Sequence, residues 1–477
     1  MVDLIADSYC TKRSVSKFYS LGRIGAEKPG FLRKDALEHH RFGKKPGFQS
    51  PVRPGRFYIF CIAKYMTNHS QIRRDSSSVQ IPEIQSKSYP IYLDYHSTTP
   101  VDYRVVNLML HFMTTAFGNA SSIDHTYGDE AEKAVFQAAI HIAKLIGASP
   151  KEVIFTSGAT ESINLAIQGM IPDDGGSKTK LRLAVLSVEH QAVSDTCYAL
   201  AKKELAEIIR LRVDSKGRLD LDYLDRICAS GLSMLCVMAA NNEIGNIYPI
   251  AKVGQIAQKY DIPFLCDASQ AVGKIPINFE EWGITYLAIS AHKLYGPKGS
   301  GALVVRKGYQ LKPIIFGGGH QKGLRSGTFN VPGIVGLGEA CRLRQLEMEE
   351  DERAIAQSRD RLQTLLLEKI PGLVINGDVC CRLAGNLHIS IPDVPNSAIV
   401  ARVRSQLAIS TGAACSSGVE APSHVLQALD LPENLIQGAL RIGIGKFTTG
   451  LEIERAAEII ATACALTRQA MLPQNRH

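Results

Sequence analysis

Three features that are missing from the sequence exclude common functional classes. Its 11 cysteines form no Cys-x-x-Cys pair, which argues against a zinc ribbon or a thioredoxin-like site, and we expect no metal centre. No apolar run reaches the ~18–20 residues that a membrane-spanning helix needs, so no membrane association is expected. Beyond residue 65 there is no excess of positive charge to bind nucleic acid. Residues 1–65 hold 13 Lys and Arg against 5 Asp and Glu, whereas the remainder holds 41 of each.

The remaining composition is that of a large globular protein. The chain has 477 residues, 45% of them apolar and 21% charged, which is enough to bury a core in two or more domains. Residues 1–88 have no sustained hydrophobic periodicity and are predicted to be a basic, disordered extension. Two explanations stay open: a segment that docks a partner or targets an organelle, or sequence upstream of a true start at Met66. The cysteine usage fits a reducing compartment, so a cytoplasmic location is expected.

Strand-like apolar runs alternate with helical segments, which is typical of an α/β fold with a mainly parallel sheet covered by helices. We predict a large domain over residues 89–340 and a smaller α+β domain over 341–477, to which part of 89–105 could also belong. A charged helix over about 340–368 would connect the two. The predicted strands are 91–95, 153–156, 183–186, 235–238, 264–266, 286–289 and 302–305 in the large domain, and 373–376, 387–391 and 440–444 in the smaller one.

Lys293 is the first candidate for chemistry, because it follows the apolar run 286–289 after a short Ser-Ala-His segment. Burial at the end of a strand disfavours an ammonium group and lowers the pKa of a lysine, as an imine-forming amine requires. A lysine on the surface of a turn is the ordinary alternative, and Lys293 alone does not decide between the two.

Two further strand ends carry groups that a phosphorylated pyridine cofactor would need. After 153–156, residues 157–160 provide backbone amides and a hydroxyl at a predicted helix N-terminus, which suits a phosphate; an ordinary helix cap is the alternative. After 264–266, Asp267 would be costly to bury without a cation, and a protonated pyridine nitrogen is such a partner. Asp267 lies 26 residues before Lys293, about one crossover unit. In this order the three signals indicate a pyridoxal phosphate (PLP) site.

Other candidate residues lie at the same predicted sheet edge or in the smaller domain. His190 could stack on a planar cofactor, although a lone histidine is more often structural. Asn242 brings an amide to the edge. Arg441 is a single charge in an apolar strand and needs an anion, either a substrate carboxylate or a structural salt bridge. Cys415 lies among small residues with glycines on both sides, so it is predicted to be exposed and reactive, with a packing cysteine as the alternative.

Over about residues 91–465 the chain resembles the class V aminotransferase family, and within it the cysteine desulfurases of the NifS/IscS type. Short motifs carry the resemblance, and their order along the chain makes it specific. They are Tyr-Leu-Asp-Tyr at 92–95, Phe-Gly-Asn at 117–119, Thr-Ser-Gly-Ala-Thr-Glu at 156–161, Asn-Asn-Glu-Ile-Gly at 241–245, Ser-Ala-His-Lys at 290–293, Arg-Ser-Gly-Thr at 325–328 and Ala-Cys-Ser-Ser at 414–417.

The resemblance implies a PLP-dependent transferase of fold type I that works as a homodimer, with a mainly parallel, seven-stranded type of sheet in its large domain. It also implies that Asn242 and Arg441 hold the substrate carboxylate. The implied cofactor residues are Lys293 as the covalent attachment point, Asp267 on the pyridine nitrogen, Gln270 on the ring hydroxyl, His190 stacked on the ring, Ala159, Thr160, Ser290 and His292 around the phosphate, Thr328 from the other subunit, and Asn242 beside the cofactor.

The implied activity is that of a cysteine desulfurase. L-cysteine would become L-alanine while the Cys415 thiolate takes the sulfur as a persulfide, with Lys293 and His190 moving protons. The sulfur would pass to an acceptor such as an iron–sulfur scaffold or a tRNA- or DNA-thiolation protein. The alternative is another class V enzyme, a selenocysteine lyase or an aminotransferase. The chain departs from the family pattern at His96 and Ser97, where small residues are usual, and the resemblance assigns His96 no role.

Overall fold

The structure is a computed structural model that describes residues 89–172, 180–411 and 422–471. Two predicted features, the N-terminal extension and the loop that carries Cys415, lie outside these residues. Within the described ranges, no helix is long and apolar enough to cross a membrane.

In chain order, the described strands are β1 (Ile91–Tyr92), β2 (Val153–Thr156), β3 (Leu181–Leu186), β4 (Ala206–Leu211), β5 (Met234–Cys236), β6 (Phe264–Asp267), β7 (Tyr286–Ser290), β8 (Gly301–Val305), β9 (Val374–Ile375), β10 (Asn386–Ser390), β11 (Leu407–Ala408) and β12 (Ala439–Gly443). The described helices are α1 (Tyr103–Thr114), α2 (Thr126–Ile146), α3 (Ala159–Gln168), α4 (Gln191–Lys202), α5 (Leu221–Ala229), α6 (Ile250–Lys259), α7 (Val331–Lys369), α8 (Asn396–Val403), α9 (His424–Ala428), α10 (Glu433–Gln437) and α11 (Gly450–Met471).

A seven-stranded sheet in the order β2-β8-β7-β6-β5-β3-β4 forms the centre of the fold. Strands β4, β3, β5, β6 and β7 pair in parallel. Strand β8 is antiparallel to both of its neighbours, β7 and β2. Because two reversals cancel, β2 runs in the same direction as β7, and the carboxyl ends of both strands lie at one edge of the sheet.

Helices bury this sheet on both faces. Strands β7 and β8 are buried at every position, which is why they read as continuous apolar runs rather than as alternating ones. One core contains side chains of α1, α2, α5, α6 and the first part of α7. The other contains side chains of α3 and α4. Helix α2 ends at Gly147 with a φ of 67°, a left-handed conformation that favours glycine.

Helix α7, with 39 residues, joins the sheet to a separate second core. Residues 331–343 pack with the sheet, whereas residues 355–366 pack with an antiparallel sheet of β9, β10 and β12 and with α8 and α11. Leu93, just after β1, belongs to this second core as well. The helix begins earlier than predicted because its first turns are apolar and contain Pro332 and Gly333, which weaken the helical signal. The domain boundary at 340 stays a prediction.

Candidate active site

A glycine brings the chain after β2 close to the end of β7. Gly301, at the start of β8, pairs with Thr156 of β2 on one side and with Ser290 of β7 on the other. A Cβ atom on Gly301 would lie 2.5 Å from the Cα atom of Gly158, so this close approach requires a glycine. The segment 157–160 is thereby brought to the same edge as Ser290.

Helix α3 begins at this edge without a side-chain cap. Its N-cap residue Gly158 has a φ of 156°, which favours glycine, and provides no side chain to bond the first-turn amides. A Cβ atom on Gly158 would lie 3.9 Å from Ser290 Oγ, so the buried Ser290 hydroxyl adjoins the same space. Ala159 is half-buried and Thr160 is exposed at the start of the helix. These groups form a cradle that suits an anion such as a phosphate.

An ion pair fastens the 325–328 loop to the start of α3. Arg325 Nε donates to Glu161 Oε1 at 2.8 Å, and Glu161 Oε2 accepts from the Ser157 amide at 2.8 Å. Desolvation favours the neutral acid, but the hydrogen bonds from Arg325 and Ser157 hold the pKa of Glu161 below its ordinary value. Thr328 is exposed on this loop, and its contact with another subunit stays a prediction.

Lys293 lies just past β7, in the short 3-10 turn Ala291–Lys293. Its Nζ donates to the backbone carbonyls of His96 at 2.7 Å and Ser97 at 2.6 Å. The amine is therefore held against the segment that follows β1. The neighbouring His292 has its Nδ1 3.1 Å from Thr98 Oγ1. Burial, together with the charge of Lys293, lowers the pKa of His292 to about 4, so this imidazole is neutral at pH 7.

Asp267 ends β6 as a buried carboxylate. Its Oδ1 accepts from the backbone amide of Ser269 at 2.9 Å and from the Ser269 hydroxyl at 2.5 Å. A second buried acid, Glu189, was missed by the sequence analysis, although its place at the end of an apolar run beside His190 is a usable signal. Its Oε1 accepts from the Met238 amide. Burial, then the charge of Asp267, raises the pKa of Glu189 well above its ordinary value.

Gln270 is the centre of a buried hydrogen-bond network. Its Nε2 donates to the carbonyl of His96 at 2.9 Å, and its Oε1 accepts from Lys274 Nζ at 2.8 Å. One amide hydrogen of Gln270 is left, which a ring hydroxyl of a cofactor can accept. Burial is the main cause that lowers the pKa of Lys274 to about 7. Lys274 was also missed, and its apolar neighbours 271–272 are the one sign of burial in the sequence.

Arg441, on β12, is buried, and the structure shows one of the two roles predicted for it. Its Nη2 donates to Asp94 Oδ1 at 2.9 Å, so the structural salt bridge is present. Its Nη1 donates to the backbone carbonyl of Asn242 at 3.2 Å, which brings together the two residues predicted to hold a carboxylate. Its Nε is buried and has no hydrogen-bond partner among the described residues. One buried donor is therefore left for an added anion.

Of the remaining two catalytic candidates, His190 lies within the described residues and Cys415 does not. His190 is the N-cap residue of α4, where its Nδ1 accepts from the Ala192 amide at 3.1 Å. This bond fixes the ring at the carboxyl edge of β3, and its stacking on a cofactor stays a prediction. Cys415 lies outside the described residues, so its approach to Lys293 stays a prediction too.

Comparison with known proteins shows the family to which most of the chain belongs. A family model described as aminotransferase class-V matches residues 91–456. A protein of Arabidopsis thaliana named cysteine desulfurase, mitochondrial, is 40% identical over 392 residues, which is 82% of this chain and 86% of that protein.

Solved structures of similar proteins have the same fold. A NifS-like protein that is 33% identical superposes with a TM-score of 0.73, over 79% of this chain and 100% of that one. A structure of SspA in complex with cysteine is 32% identical, with a TM-score of 0.67 over 75% of this chain and 100% of that one. The predicted fold, a type I α/β fold around a mainly parallel seven-stranded sheet, is confirmed.

Proposed function

The chain belongs to the class-V aminotransferase family and is a cysteine desulfurase, and we propose that it converts L-cysteine to L-alanine at the sheet edge that Lys293 occupies. The observation that carries this proposal is the setting of the Lys293 amine. It lies past β7, at the same edge as the uncapped start of α3 and the buried carboxylate of Asp267. The family is PLP-dependent. The lysine amine, the helix start and the carboxylate match, in that order, the aldehyde, the phosphate and the pyridine nitrogen of PLP.

The donor set around the edge fits PLP, which when bound supplies an electron sink for the α carbon of the substrate. The uncapped amides of α3 support a phosphate site, and the spare amide hydrogen of Gln270 supports a contact with the ring hydroxyl. The proposed cofactor residues are Lys293, Asp267, Gln270, His190 and Asn242 around the ring, Ala159, Thr160, Ser290 and His292 around the phosphate, and Thr328 from a second subunit.

The residues proposed to act on the substrate have two roles. Arg441 and Asn242 bind its carboxylate, and Lys293 takes its α hydrogen. The spare Nε of Arg441 supports a carboxylate contact, because an anion there would satisfy a buried donor. Lys293 would attach PLP covalently when the cofactor is bound, and its free amine is the proposed base for the α hydrogen of the substrate. His190, held at the N-cap of α4, exchanges protons with it.

Cys415 is the proposed nucleophile. Its thiolate attacks the substrate sulfur, and the new S–S bond forms as the Cβ–S bond breaks. The electron pair stays with the carbon skeleton, which takes up a proton and leaves as L-alanine, while Cys415 keeps the sulfur as a persulfide. We propose that an acceptor protein, such as an iron–sulfur scaffold or a thiolation enzyme, then takes this sulfur. The relatives do not favour the alternative of a selenocysteine lyase or an aminotransferase, and an aminotransferase has no need of this thiol.

A turnover assay tests the proposal. With PLP-loaded enzyme, L-cysteine and an added thiol reductant, we expect alanine and sulfide in equal amounts, because each cycle yields one of each. Without the reductant, alanine formation should stop early, since the persulfide on Cys415 is not discharged. D-cysteine is the matched control, and we expect no alanine from it. Absence of alanine from L-cysteine would overturn the proposed function.

A homodimer is the proposed assembly, and an exposed apolar stripe on α1 supports it. The side chains of Tyr103, Val106, Leu110 and Met113 are 46–69% exposed and recur at helical spacing. Phe117, just beyond the helix, is exposed as well. A row of large apolar residues in water is unfavourable for a monomer, so a second copy of the chain is the proposed cover.

Charges in this stripe should dissociate the dimer. The double variant Leu110→Glu, Met113→Glu is expected to weaken self-association by about 30-fold or more, because two carboxylates would be desolvated in the interface. Sedimentation velocity over a range of protein concentrations measures this. Leu451→Glu on α11 replaces another exposed leucine and should leave the assembly unchanged. An unaltered dimer in the double variant would show that the stripe is not the interface.

A further inference from the structure

His96 is a buried histidine that neither the motifs nor the proposed mechanism uses. It is 3% exposed and lies in the segment after β1. Its backbone carbonyl accepts hydrogen bonds from Lys293 Nζ at 2.7 Å and from Gln270 Nε2 at 2.9 Å. The residue is therefore in direct contact with the proposed covalent attachment point and with a proposed cofactor residue.

The hydrogen-bond network fixes the tautomer of this imidazole. A carbonyl oxygen only accepts, so the Gln270 amide nitrogen must face the His96 carbonyl, and Gln270 Oε1 must face the His96 ring. His96 Nδ1 lies 3.4 Å from that oxygen, which also only accepts, so Nδ1 carries the hydrogen. The other ring nitrogen, Nε2, is then a lone-pair acceptor.

This acceptor is buried and has no hydrogen-bond partner among the described residues. Burying a polar atom without a partner is costly, and native structures contain few such atoms. Protonation does not relieve the cost. Burial, helped by the charges of Lys274, Arg441 and Lys293, holds the pKa of His96 well below its ordinary value. His96 Nε2 is thus a neutral acceptor that lacks a donor.

A buried donor that lacks an acceptor lies on the adjoining strand. This donor is Arg441 Nε, on β12. Gly443, two residues further along β12, packs against the His96 ring: a Cβ atom on Gly443 would lie 3.0 Å from His96 Cδ2, the carbon bonded to Nε2. The unpaired acceptor therefore belongs to the residue whose carbonyl holds the Lys293 amine, and the unpaired donor lies on the strand that packs against its ring. An α-amino acid carries the complementary pair, a carboxylate to accept from arginine and an amino group to donate.

We propose that His96 Nε2 accepts a hydrogen bond from the α-amino group of the substrate while Arg441 Nε binds its carboxylate. The amino group rather than the thiol is assigned to His96 because the substrate amine takes the place of the Lys293 amine, which is already bonded to the carbonyl of the same residue. His96 is then a substrate-binding residue that orients the incoming amine. This inference rests on the proposed function.

Two substitutions separate the ring nitrogens of His96. In His96→Asn the side-chain amide can replace the Nδ1 donor to Gln270 but offers nothing at the position of Nε2. In His96→Gln the amide oxygen reaches the position of Nε2 and restores the acceptor. Loss of one hydrogen bond to a charged group is expected to weaken ligand binding about tenfold in the asparagine variant, with recovery in the glutamine variant.

Ligands that lack one group each identify the contact. L-alanine has the amine and carboxylate without the thiol, and 3-mercaptopropionate has the thiol and carboxylate without the amine. PLP-loaded enzyme is titrated with each ligand. Cofactor absorbance or the heat measured by calorimetry gives a Kd for each ligand. For His96→Asn we expect a tenfold rise in Kd for L-alanine and none for 3-mercaptopropionate. Thermal unfolding of both variants shows whether each is folded.

Three outcomes would overturn the inference. They are an unchanged Kd for L-alanine in His96→Asn, a rise confined to 3-mercaptopropionate, which would assign His96 to the thiol, and a failure of His96→Gln to recover when it is as stable as the asparagine variant. The proposed function is judged separately, because unsubstituted enzyme that makes alanine from L-cysteine would keep the function even if the His96 contact failed.

Discussion

Alanine formation from L-cysteine is expected to fall by about 10³-fold or more when Lys293 is replaced by Ala. The substitution removes both the covalent attachment point of PLP and the base for the α hydrogen, and a positioned acid–base group alone is worth about 10²–10⁴ in rate. It also leaves the carbonyls of His96 and Ser97 without the Lys293 amine that donates to both. Single-turnover alanine yield measures the effect.

Two further variants separate the chemistry of Lys293 from its charge. Lys293→Arg keeps a cation near the two carbonyls but provides no imine-forming amine, so it should be as inactive as Lys293→Ala. Lys298→Ala removes an exposed lysine five residues along and should be as active as the unsubstituted enzyme. Hydride reduction should attach cofactor mass to the peptide that contains Lys293 only where that lysine is present. Turnover by the arginine variant at the unsubstituted rate would refute the assignment.

Sulfide release is expected to fall by about 10³-fold or more in Cys415→Ser, because the hydroxyl is a poor nucleophile toward sulfur at neutral pH. The cofactor should bind as before, since none of the residues proposed to hold it is altered. Cofactor absorbance and persulfide labelling, measured on the same sample, distinguish a lost nucleophile from a lost cofactor.

The chain provides a matched control for this substitution. Cys380 is an exposed, unpaired thiol in the described part of the chain, and Cys380→Ser should leave sulfide release unchanged. The comparison tests whether the loss belongs to one thiol or to the removal of any accessible thiol. Persulfide formation in Cys415→Ser at the unsubstituted level would contradict the proposed mechanism.

The most deeply buried strands could be predicted from the sequence, whereas a charged edge strand and a helix with an exposed apolar face could not. Strand β7, predicted over 286–289, extends over Tyr286–Ser290, because a strand buried on both faces is apolar along its whole length. Strand β4 was missed since it is an edge strand with charged residues, including the exposed Glu207, that break the apolar run. Helix α1 was missed because its exposed apolar stripe hides the contrast between a buried and a solvated face.

Site residues with a local sequence signal could be predicted, whereas contacts between residues far apart in the sequence could not. Asp267 and Lys293 could be predicted, since each directly follows an apolar strand whose carboxyl end lies at the ligand-binding edge. The pairing of Arg441 with Asp94 could not, because the two residues are 347 positions apart and no local pattern links them. The His96 network was equally hidden: its bonds to Gln270 and Lys293 span 174 and 197 positions.

The ion pair between Arg441 and Asp94 has a consequence for the release of product. A substrate carboxylate at the spare Nε would share the guanidinium with Asp94, which already holds Nη2, so it would gain less free energy than from an arginine with no partner. When L-alanine departs, the ion pair with Asp94 still neutralises the arginine, so the emptied site does not hold an unpaired buried charge. We therefore expect this resident carboxylate to lower the affinity for substrate and product alike, which favours rapid turnover over tight retention.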